Sequence, residues 1–412
     1  MTVRGERRDV PAQPATYRAL FADPEFRALW LAQAISLTGD QLARVAIASM
    51  VYAETHSPFI TALVYALTYL PWLVGGTLLS GLADRYPRRA VMVSCQLLSA
   101  GLVMLMALPD VPLPVLAGLL FVVILIESPF LAARASLLVD VLPDDRYVLA
   151  SAMNQLTVQG SQVLGFAAGG ALVVMLEPSG ALLLDAASFL LAAAVVRFRV
   201  RSRPAAASAA ELGSSWKRMR TGARVVFGDP RLRGLVLLAW LATFWVVPEA
   251  LAAPYAQGRP TAVGLLLAAQ PAGSVLGVLW LSRLVRPTTR LELMGPLAVV
   301  SCVPLLFFAA SPPLPVAVAL LVISGIGTTY NLPANAAFMQ ALPAERRGQA
   351  FGLVSAGLVA GQGIGMTTAG AIAETVPPGV VIAAAGVVGL TAALALSGAG
   401  RRFLSSPSPA VS

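Results

Sequence analysis

Four charged residues stand alone inside long apolar stretches of this chain, where their side chains could exchange protons. Asp40 and Arg44 are four residues apart, so on a helix both lie on one face. Glu127 and Glu249 occur in two later apolar stretches. Ionisable groups in an apolar environment are costly to keep and are usually functional. We therefore predict that these four residues form a proton-exchanging site in a cavity.

The predicted site has to share one guanidinium among several carboxyl groups. At ~1.5 Å per residue, Asp40 and Glu127 fall at about the same depth in their stretches, and Arg44 lies about 6 Å further along. Arg44 can fully compensate only one carboxylate, and helical spacing pairs it with Asp40. Glu127 is therefore the predicted proton carrier, with Glu249 as the reserve candidate. Two alternatives stay open: Asp40 and Arg44 form a permanent ion pair, or Glu249 simply reaches water.

Uncharged polar side chains in other apolar stretches could add hydrogen-bonding groups to the same cavity. These residues are Gln159, Gln270, Tyr330, Asn331 and Asn335. The alternative is that they pack between helices, where polar side chains also hydrogen-bond. Asp185 and Glu374 lie nearer the ends of their stretches, and we expect them to be plain interfacial residues.

The elements that must position these residues are membrane-spanning helices. Hydrophobic residues make up 57% of the 412 residues and charged residues only 12%, which excludes an ordinary soluble protein. Each apolar run is long enough to cross a bilayer, and backbone groups in hydrocarbon require a helix. We predict twelve spans, roughly 28–54, 58–82, 90–109, 112–139, 147–176, 180–197, 232–256, 260–286, 291–311, 313–341, 348–375 and 379–400.

The positive charges predict the orientation of these spans. Of the 29 Lys and Arg residues, only Arg259 falls in a predicted outer loop and Arg44 lies within a span, while the other 27 lie at the termini, in the even-numbered loops or at the inner ends of helices. This positive-inside bias places both termini in the cytoplasm of a multi-pass plasma-membrane protein. The net charge of +9 is therefore explained by topology and does not predict a nucleic-acid partner.

The chain also repeats itself at an offset of 200 residues. The repeat is clearest at nine positions, most of them near two equivalent turns and the helices that follow, where the residue type recurs 200 residues further on. Their first members are Pro71, Leu142, Pro143, Arg146, Ala150, Gln162, Gly165, Gly170 and Pro178. The fold class predicted is an all-α membrane protein with twelve transmembrane helices in two six-helix pseudo-symmetric bundles, with a substrate path between them.

The domain boundaries follow from the repeat and from changes in composition. A basic amphipathic helix from Trp216 to Phe227 is expected to lie on the inner leaflet, with docking of a partner protein as the alternative. The predicted segments are 1–26 (cytoplasmic lead), 27–198 (first bundle), 199–230 (cytoplasmic linker), 231–400 (second bundle) and 401–412 (cytoplasmic tail).

The loop from Ser80 to Arg89 concentrates charge between two uncharged runs. Its Leu-Ala-Asp-Arg core at 82–85 and the pair Arg88-Arg89 resemble the signature loop of the major facilitator superfamily. Ser80 and Pro87 stand where that pattern has glycines. The resemblance implies a major facilitator fold and a cytoplasmic gate motif formed by Asp84, Arg85, Arg88 and Arg89. We expect Asp84 to lie against the start of span 11, near Gly348 to Gly352, because a helix N-terminus favours an anion.

A second resemblance concerns the function. The segment Leu184 to Phe189 is similar to a fingerprint of the superfamily subgroup that contains enterobactin exporters and macrolide efflux proteins. This implies a proton-coupled antiporter that exports a small amphipathic molecule, such as a drug, a macrolide or a siderophore-like compound. Uptake of a small solute is the runner-up, and a non-transporting receptor is the third possibility.

Several other functions lack the residues they require. The only histidine, His56, is in a predicted outer loop, so no catalytic cluster suggests an enzyme. No Gly-rich phosphate loop ends in Gly-Lys-Ser/Thr, which argues against ATP as the energy source. Cys95 and Cys302 are expected to be small buried hydrophobes. The expected partners are a small-molecule substrate, protons and membrane lipid, with no cofactor, no metal and no nucleic acid, in a protein that is monomeric.

Overall fold

The computed structural model describes residues 16–69, 71, 75, 85–142, 145–203, 227–342 and 347–404, and these residues contain helices and no strand. Two predictions fall outside the described residues: the position of Asp84 and most of the amphipathic helix predicted from Trp216. We keep the span numbers as names for the segments below.

Most of the helices described in the first half of the chain are long. Spans 5 and 6 belong to one helical element, interrupted at Glu177 by a positive φ of 59°. The helix bounds are Tyr17–Ala22, Pro24–Thr55 (span 1), Pro58–Ala66 (span 2), Arg88–Met106 (span 3), Leu113–Val141 (span 4) and Asp145–Arg199 (spans 5 and 6).

The second half contains shorter helical pieces, and span 7 is the most broken. Pro248 and Pro254 lie inside span 7, and proline removes a helical hydrogen bond and crowds the preceding turn. The bounds are Pro230–Trp240, Ala242–Trp245, Val247–Ala250 and Ala252–Tyr255 (span 7), Pro260–Leu284 (span 8), Pro287–Glu292, Met294–Leu306 (span 9), Leu314–Gly327 and Asn331–Ala341 (span 10), Arg347–Ala373 (span 11) and Pro378–Leu404 (span 12).

Spans 1 and 7, the first span of each half, begin in the same way, although their first residues are 206 rather than 200 positions apart. The Asp23 carboxylate accepts hydrogen bonds from the backbone N–H groups of Glu25 at 2.8 Å and Phe26 at 3.1 Å. Asp229 accepts one from the N–H of Arg231 at 2.8 Å. A proline follows each aspartate at the first helical position, where its missing N–H costs nothing.

Seven helices among the described residues are long and apolar enough to cross a membrane. One of the seven, Leu149–Arg199, contains predicted spans 5 and 6, and the apolar helix Met294–Ala310 is shorter than the rest. The chain is therefore a multi-pass helical membrane protein. The count of twelve spans stays a prediction.

The two halves meet along two equivalent seams, span 5 with span 8 and span 2 with span 11. At the first seam a Cβ on Gly170 would lie 2.7 Å from the Pro260 carbonyl oxygen. At the second, a Cβ on Gly370 would lie 3.0 Å from the Pro58 carbonyl oxygen and would also collide with Ala62. Both positions need glycine because the backbones approach so closely. Gly170 and Gly370 are one of the nine repeated pairs, so the repeat explains why the seams look alike.

Both seams lie toward the face that carries Ser57, Gly258 and Glu374, which we call the predicted outer face. A buried apolar cluster joins the halves on this side and includes Val45 from span 1 and Leu251 from span 7. Helices in a bilayer gain little from the hydrophobic effect, so this close packing of small and branched side chains stabilises the contact. In this conformation the halves are closed against each other at the predicted outer face.

Candidate functional site

The isolated charges of the first half converge on Arg44. Its guanidinium lies close enough to interact electrostatically with Asp40 on the same helix and with Glu127 of span 4. Asp185 of span 6 also interacts with Arg44 and with Asp40. The predicted convergence of spans 1 and 4 on one charged site is therefore present, and span 6 contributes to it as well. We call Asp40, Arg44, Glu127, Asp185 and Glu249 the central cluster.

Arg44 does not make a direct ion pair with any of these acids. Among the described residues, charged atoms come within 4.0 Å of each other in two ion pairs, Arg88–Asp140 and Arg203–Glu25. Asp40 and Arg44 thus lie near each other on one helix without forming the close pair considered as an alternative. The guanidinium is shared among several carboxyl groups rather than committed to one.

Glu249 brings the second half of the chain into the central cluster. It lies in the broken part of span 7, where its own N–H bonds to the Val246 carbonyl in a tight turn. Its carboxylate accepts a hydrogen bond from the Tyr69 hydroxyl at 3.0 Å and a longer one from Tyr65 at 3.4 Å. Both tyrosines belong to the first half, and both also interact with Arg44. Glu249 is therefore tied across the boundary between the halves.

Asp185 is the residue whose position differs most from expectation. It is 2% exposed and accepts a hydrogen bond from Ser188 at 3.2 Å, so it is not an interfacial residue. A Cβ on Gly39 would collide with Asp185 and Ser188, so the glycine lets span 6 approach span 1 at the level of Asp40. The sequence signal for this burial is that Asp185 lies several residues inside an apolar run.

The uncharged polar residues proposed for the cavity divide into two groups. Tyr330 has no exposed surface: its hydroxyl donates to the Leu238 carbonyl at 3.0 Å and accepts from Trp245 at 3.3 Å. Gln270 is 5% exposed and donates to the Trp245 carbonyl at 3.0 Å. Both therefore support helix packing in this conformation. Gln159 and Asn331 are half-buried, and Asn335 is exposed.

The basic residues of the signature loop contact the ends of neighbouring helices on the predicted inner face. Arg88 pairs with Asp140 at the end of span 4 and also donates to the Ser136 carbonyl at 3.2 Å. Arg89 donates to the Val200 carbonyl just after span 6 at 3.2 Å, whereas Arg85 is exposed. These contacts connect spans 3, 4 and 6 of the first half. The role of Asp84 as a gate stays a prediction.

A further contact fixes the start of the linker between the halves. The Arg203 guanidinium makes a bidentate ion pair with Glu25, at 2.7 and 2.9 Å. The backbone N–H of Arg201 donates to the same carboxylate at 2.9 Å. Bidentate pairs combine charge with defined geometry, so the linker leaves the first half from one defined point.

Among the residues that the structure describes, a polar contact on the predicted outer face joins the halves. Glu374 follows the last residue of the span 11 helix and is exposed. Its carboxylate accepts hydrogen bonds from the Ser57 hydroxyl and from the Phe59 N–H, the latter at 2.9 Å. These two donors hold the pKa of the Glu374 carboxyl below its usual range. We call this contact the outer latch.

Within the described ranges, no group of three or more His, Cys, Asp or Glu side chains is arranged to hold a metal ion.

Two helical halves that close around a shared charged centre define the class of the protein: a two-bundle, multi-pass membrane transporter. A model of the Major Facilitator Superfamily matches residues 29–257 and 246–410, which together cover most of the chain. The chain belongs to this superfamily of membrane transporters. Its members are transporters rather than enzymes.

One relative in sequence is a Bacillus subtilis (strain 168) protein described as the uncharacterized MFS-type transporter YkuC. The two are 26% identical over 181 residues, which are 43% of this chain and 42% of the relative. The chain thus spans less than half the length of the relative that it matches.

Solved structures resemble the chain over nearly its whole length. They include a POT family transporter in complex with a thioalcohol-conjugated peptide (TM-score 0.71, 13% identity, 92% of this chain and 96% of that chain). The nucleoside transporter NupG also matches, with a TM-score of 0.67 and 13% identity over 92% of this chain and 99% of that chain. A bacterial homolog of the human lysosomal transporter Spinster, in an inward-facing and occupied conformation, matches with a TM-score of 0.66 and 17% identity over 94% of this chain and 100% of that chain. At these identities the likeness establishes the fold alone, and the predicted all-α major facilitator fold is confirmed, whereas the count of twelve helices stays a prediction.

Proposed function

We propose that this transporter exports a small amphipathic organic molecule in exchange for protons, and that the central cluster couples the two movements. The observation that carries the proposal is the sharing of one guanidinium by four carboxyl groups drawn from both halves. One positive charge cannot neutralise four negative ones in an enclosed space, and uncompensated buried charge is costly. The cluster is therefore suited to binding and releasing protons as its surroundings change.

The same geometry suggests how proton binding is linked to alternating access. Glu249 holds its two tyrosine partners only while spans 2 and 7 are together on the closed side. Opening the predicted outer face would separate these spans and leave the Glu249 carboxylate without those donors. The charge balance around Arg44 would change at the same moment. Glu127 is our candidate for the proton carrier, because helical spacing places Asp40 rather than Glu127 next to Arg44 on span 1, and Glu249 is the residue that senses the motion.

The remaining parts of the proposal rest on sequence. Export, the antiporter mechanism and the drug, macrolide or siderophore-like substrate follow from the resemblance at Leu184 to Phe189. The low aromatic content of 7% and the apolar spans favour an amphipathic substrate over a highly charged one. The arginine distribution supports a plasma-membrane protein with both termini in the cytoplasm. We further propose that it works as a monomer and that Asp84 closes the inner gate.

Transport into inverted membrane vesicles tests the proposal directly. A panel of radiolabelled or fluorescent macrolides, other drugs and siderophores is offered under an imposed pH gradient, acid inside. The proposal expects accumulation of at least one amphipathic compound, which collapses when a protonophore removes the gradient. Accumulation that persists without a proton gradient, or that occurs only in right-side-out vesicles, would contradict proton-driven export.

A further inference from the structure

A small cavity lies inside the first half, between spans 1, 3, 4 and 6. Its volume is about 30 Å³, counted as the space in which the centre of a water molecule can lie. A bound water needs roughly 10–15 Å³ of such space, so the cavity accommodates about two waters. We call it the side chamber. Its polar lining consists of Gln33, Ser36, Asp40, Gln96, Ser99 and Glu127.

Two amide oxygens on the wall of the side chamber have unmet hydrogen-bonding capacity. Gln33 and Gln96 are each 3% exposed, and the Oε1 atom of each has no hydrogen-bond partner. Buried polar atoms in folded proteins nearly always have a partner, either protein or ordered water. The two amides come from different helices, spans 1 and 3, and both line the same cavity. A carbonyl oxygen accepts a hydrogen bond, so the partner must be a donor that fits this space, and water is such a donor.

The side chamber adjoins the central cluster on a different side from the boundary between the two halves. Asp40 and Glu127 line it, whereas Glu249 and its tyrosine partners do not. The charged groups that act on these two carboxyls are Arg44, Asp185 and each other, and Cys95 is the remaining titratable group on the chamber wall. Water in the chamber would therefore contact the two acids without entering the contact between spans 2 and 7.

We propose that the side chamber holds water fixed by Gln33 and Gln96, and that protons reach Asp40 and Glu127 through this water rather than through the substrate cavity. The inference rests on the proposed function, in which the cluster exchanges protons. The transfer is balanced: a hydronium gives its proton to a carboxylate and becomes water, and release is the reverse. Separate routes would let a substrate occupy the central cavity without blocking proton entry.

A small metal cation is the other ligand that an oxygen-lined chamber could take. The fixed positive charge of Arg44 acts on both chamber acids and opposes a second permanent cation there. A proton avoids this opposition because it neutralises the carboxylate that it binds. The observations therefore favour water and protons over sodium or lithium, and the experiments below distinguish them.

The first experiment detects the water itself, independently of transport. Hydroxyl radicals formed by an X-ray pulse modify side chains beside bound water, and Cys95 lines the chamber. Cys302 serves as an internal control because it is fully buried in the second half and is not part of the chamber wall. We expect Cys95 to be oxidised in the purified protein and Cys302 to be spared. Because Cys95 is half-buried and exposure alone also gives this contrast, the decisive comparison is with the variant that lacks both amides. Replacing both amides, Gln33→Leu with Gln96→Leu, should strongly reduce Cys95 oxidation.

Unchanged Cys95 oxidation in the double variant would overturn the proposal, because the chamber water would not depend on these amides. Protection of Cys95 by sodium or lithium, but not by choline, would also overturn it in favour of a metal-cation site. Folding of each variant is checked by its elution as a single species and by its thermal unfolding, and the single variants replace the double one if it does not fold.

The second experiment separates a proton route from a structural role. Gln96→Leu should slow pH-gradient-driven accumulation by about three- to ten-fold, as expected for the loss of one hydrogen-bonded water on the route. Substrate counterflow at equal pH, which needs no net proton movement, should stay unchanged. Gln96→Asn keeps an amide and leaves room for water, so it should retain most of the driven rate. Gln41→Leu is the matched control: it is a buried glutamine of span 1 that packs toward Gly165 of span 5, outside the chamber.

An equal loss of driven transport and counterflow in Gln96→Leu would overturn the proposal in favour of a structural role. Failure of the proposed function gives a different result: the unmodified protein itself would show no accumulation under a pH gradient. In that case the Cys95 experiment would still decide whether the chamber holds water fixed by the two glutamines.

Discussion

The two halves of this transporter share their packing but not their charge. Gly170 and Gly370 make the same close contact at the two seams, and Asp23 and Asp229 begin the first helix of each half. In contrast, the spans of the first half carry Asp40, Arg44, Glu127 and Asp185 deep in the bundle. Glu249 is the only charged residue between Arg233 and Arg259. The predicted spans 10 and 12, residues 313–341 and 379–400, contain no charged residue.

This difference separates two tasks within one duplicated fold. The repeated contacts allow both halves to rock against each other about the same seams, as expected for a transporter built from internal repeats. The charge chemistry needs no such symmetry, and it is concentrated in the first half. On this account the first half binds the proton, and the second half contributes one acid that reports whether the halves are closed.

The largest effect is expected at Arg44, because the second half has no arginine at the equivalent position. Arg44→Gln removes the guanidinium that interacts with all four acids of the central cluster. Removing one partner of a buried charged group costs about 3–5 kcal/mol, so we expect driven transport to fall by roughly 100-fold or more. Arg44→Lys keeps the charge and should retain part of the activity. Accumulation and counterflow measured in vesicles at matched expression would check both variants, and near-normal transport by Arg44→Gln would refute the shared-guanidinium account.

The second prediction tests the symmetric part of the comparison. Gly170→Leu and Gly370→Leu should each keep the predicted outer face from closing, because each adds a side chain where backbones nearly touch. Overpacking costs about 1–3 kcal/mol, which corresponds to about five-fold to 150-fold in the open-to-closed ratio. Pulsed EPR distances between spin labels at Glu54 and Thr375, both exposed on that face, would report the opening. Gly160→Leu is the control on the same helix as Gly170, since nothing lies within 4 Å of its added Cβ. Unequal shifts for the two seam variants would show that the seams are not equivalent.

The smallest effect is expected at the outer latch, which only one seam possesses. The position 200 residues before Glu374 is Val174, so the span 5 seam has no such carboxylate. Because the latch lowers the Glu374 pKa, its stabilisation is present above the usual glutamate range and is lost only as the pH falls through the lowered value. Glu374→Gln should therefore shift the EPR distances slightly, by less than about two-fold in population, since exposed contacts are weak.

The pH series supplies the check on the latch. The open fraction of the native protein should be flat from neutral to mildly acidic pH and should rise only at strongly acidic pH. The Glu374→Gln variant should lose that rise, whereas Glu177→Gln, at an exposed turn of the first half, should keep it. A rise centred near neutral pH would mean that another group controls the outer face.

The sequence predicted the features that depend on local spacing or on repetition. Asp40 and Arg44 share a face because they are four apart, and Glu127 meets them because two spans face one cavity. It did not predict the bond from Tyr69 to Glu249, because that contact joins residues 180 positions apart and depends on how the halves dock. For Tyr330 the sequence left both a cavity position and helix packing open, because the choice depends on helix rotation, which the pattern of polar residues does not define.

The central claim is that the proton is carried in the first half, and two matched variants test it. Glu127→Gln and Glu249→Gln remove the same charge from opposite halves, and each is compared for pH-gradient-driven accumulation and for substrate counterflow. We predict that Glu127→Gln abolishes driven accumulation and keeps counterflow, while Glu249→Gln lowers both in parallel because it weakens the closed state. If Glu127→Gln keeps full driven transport and Glu249→Gln alone loses it, the proton site lies in the second half and the account is wrong.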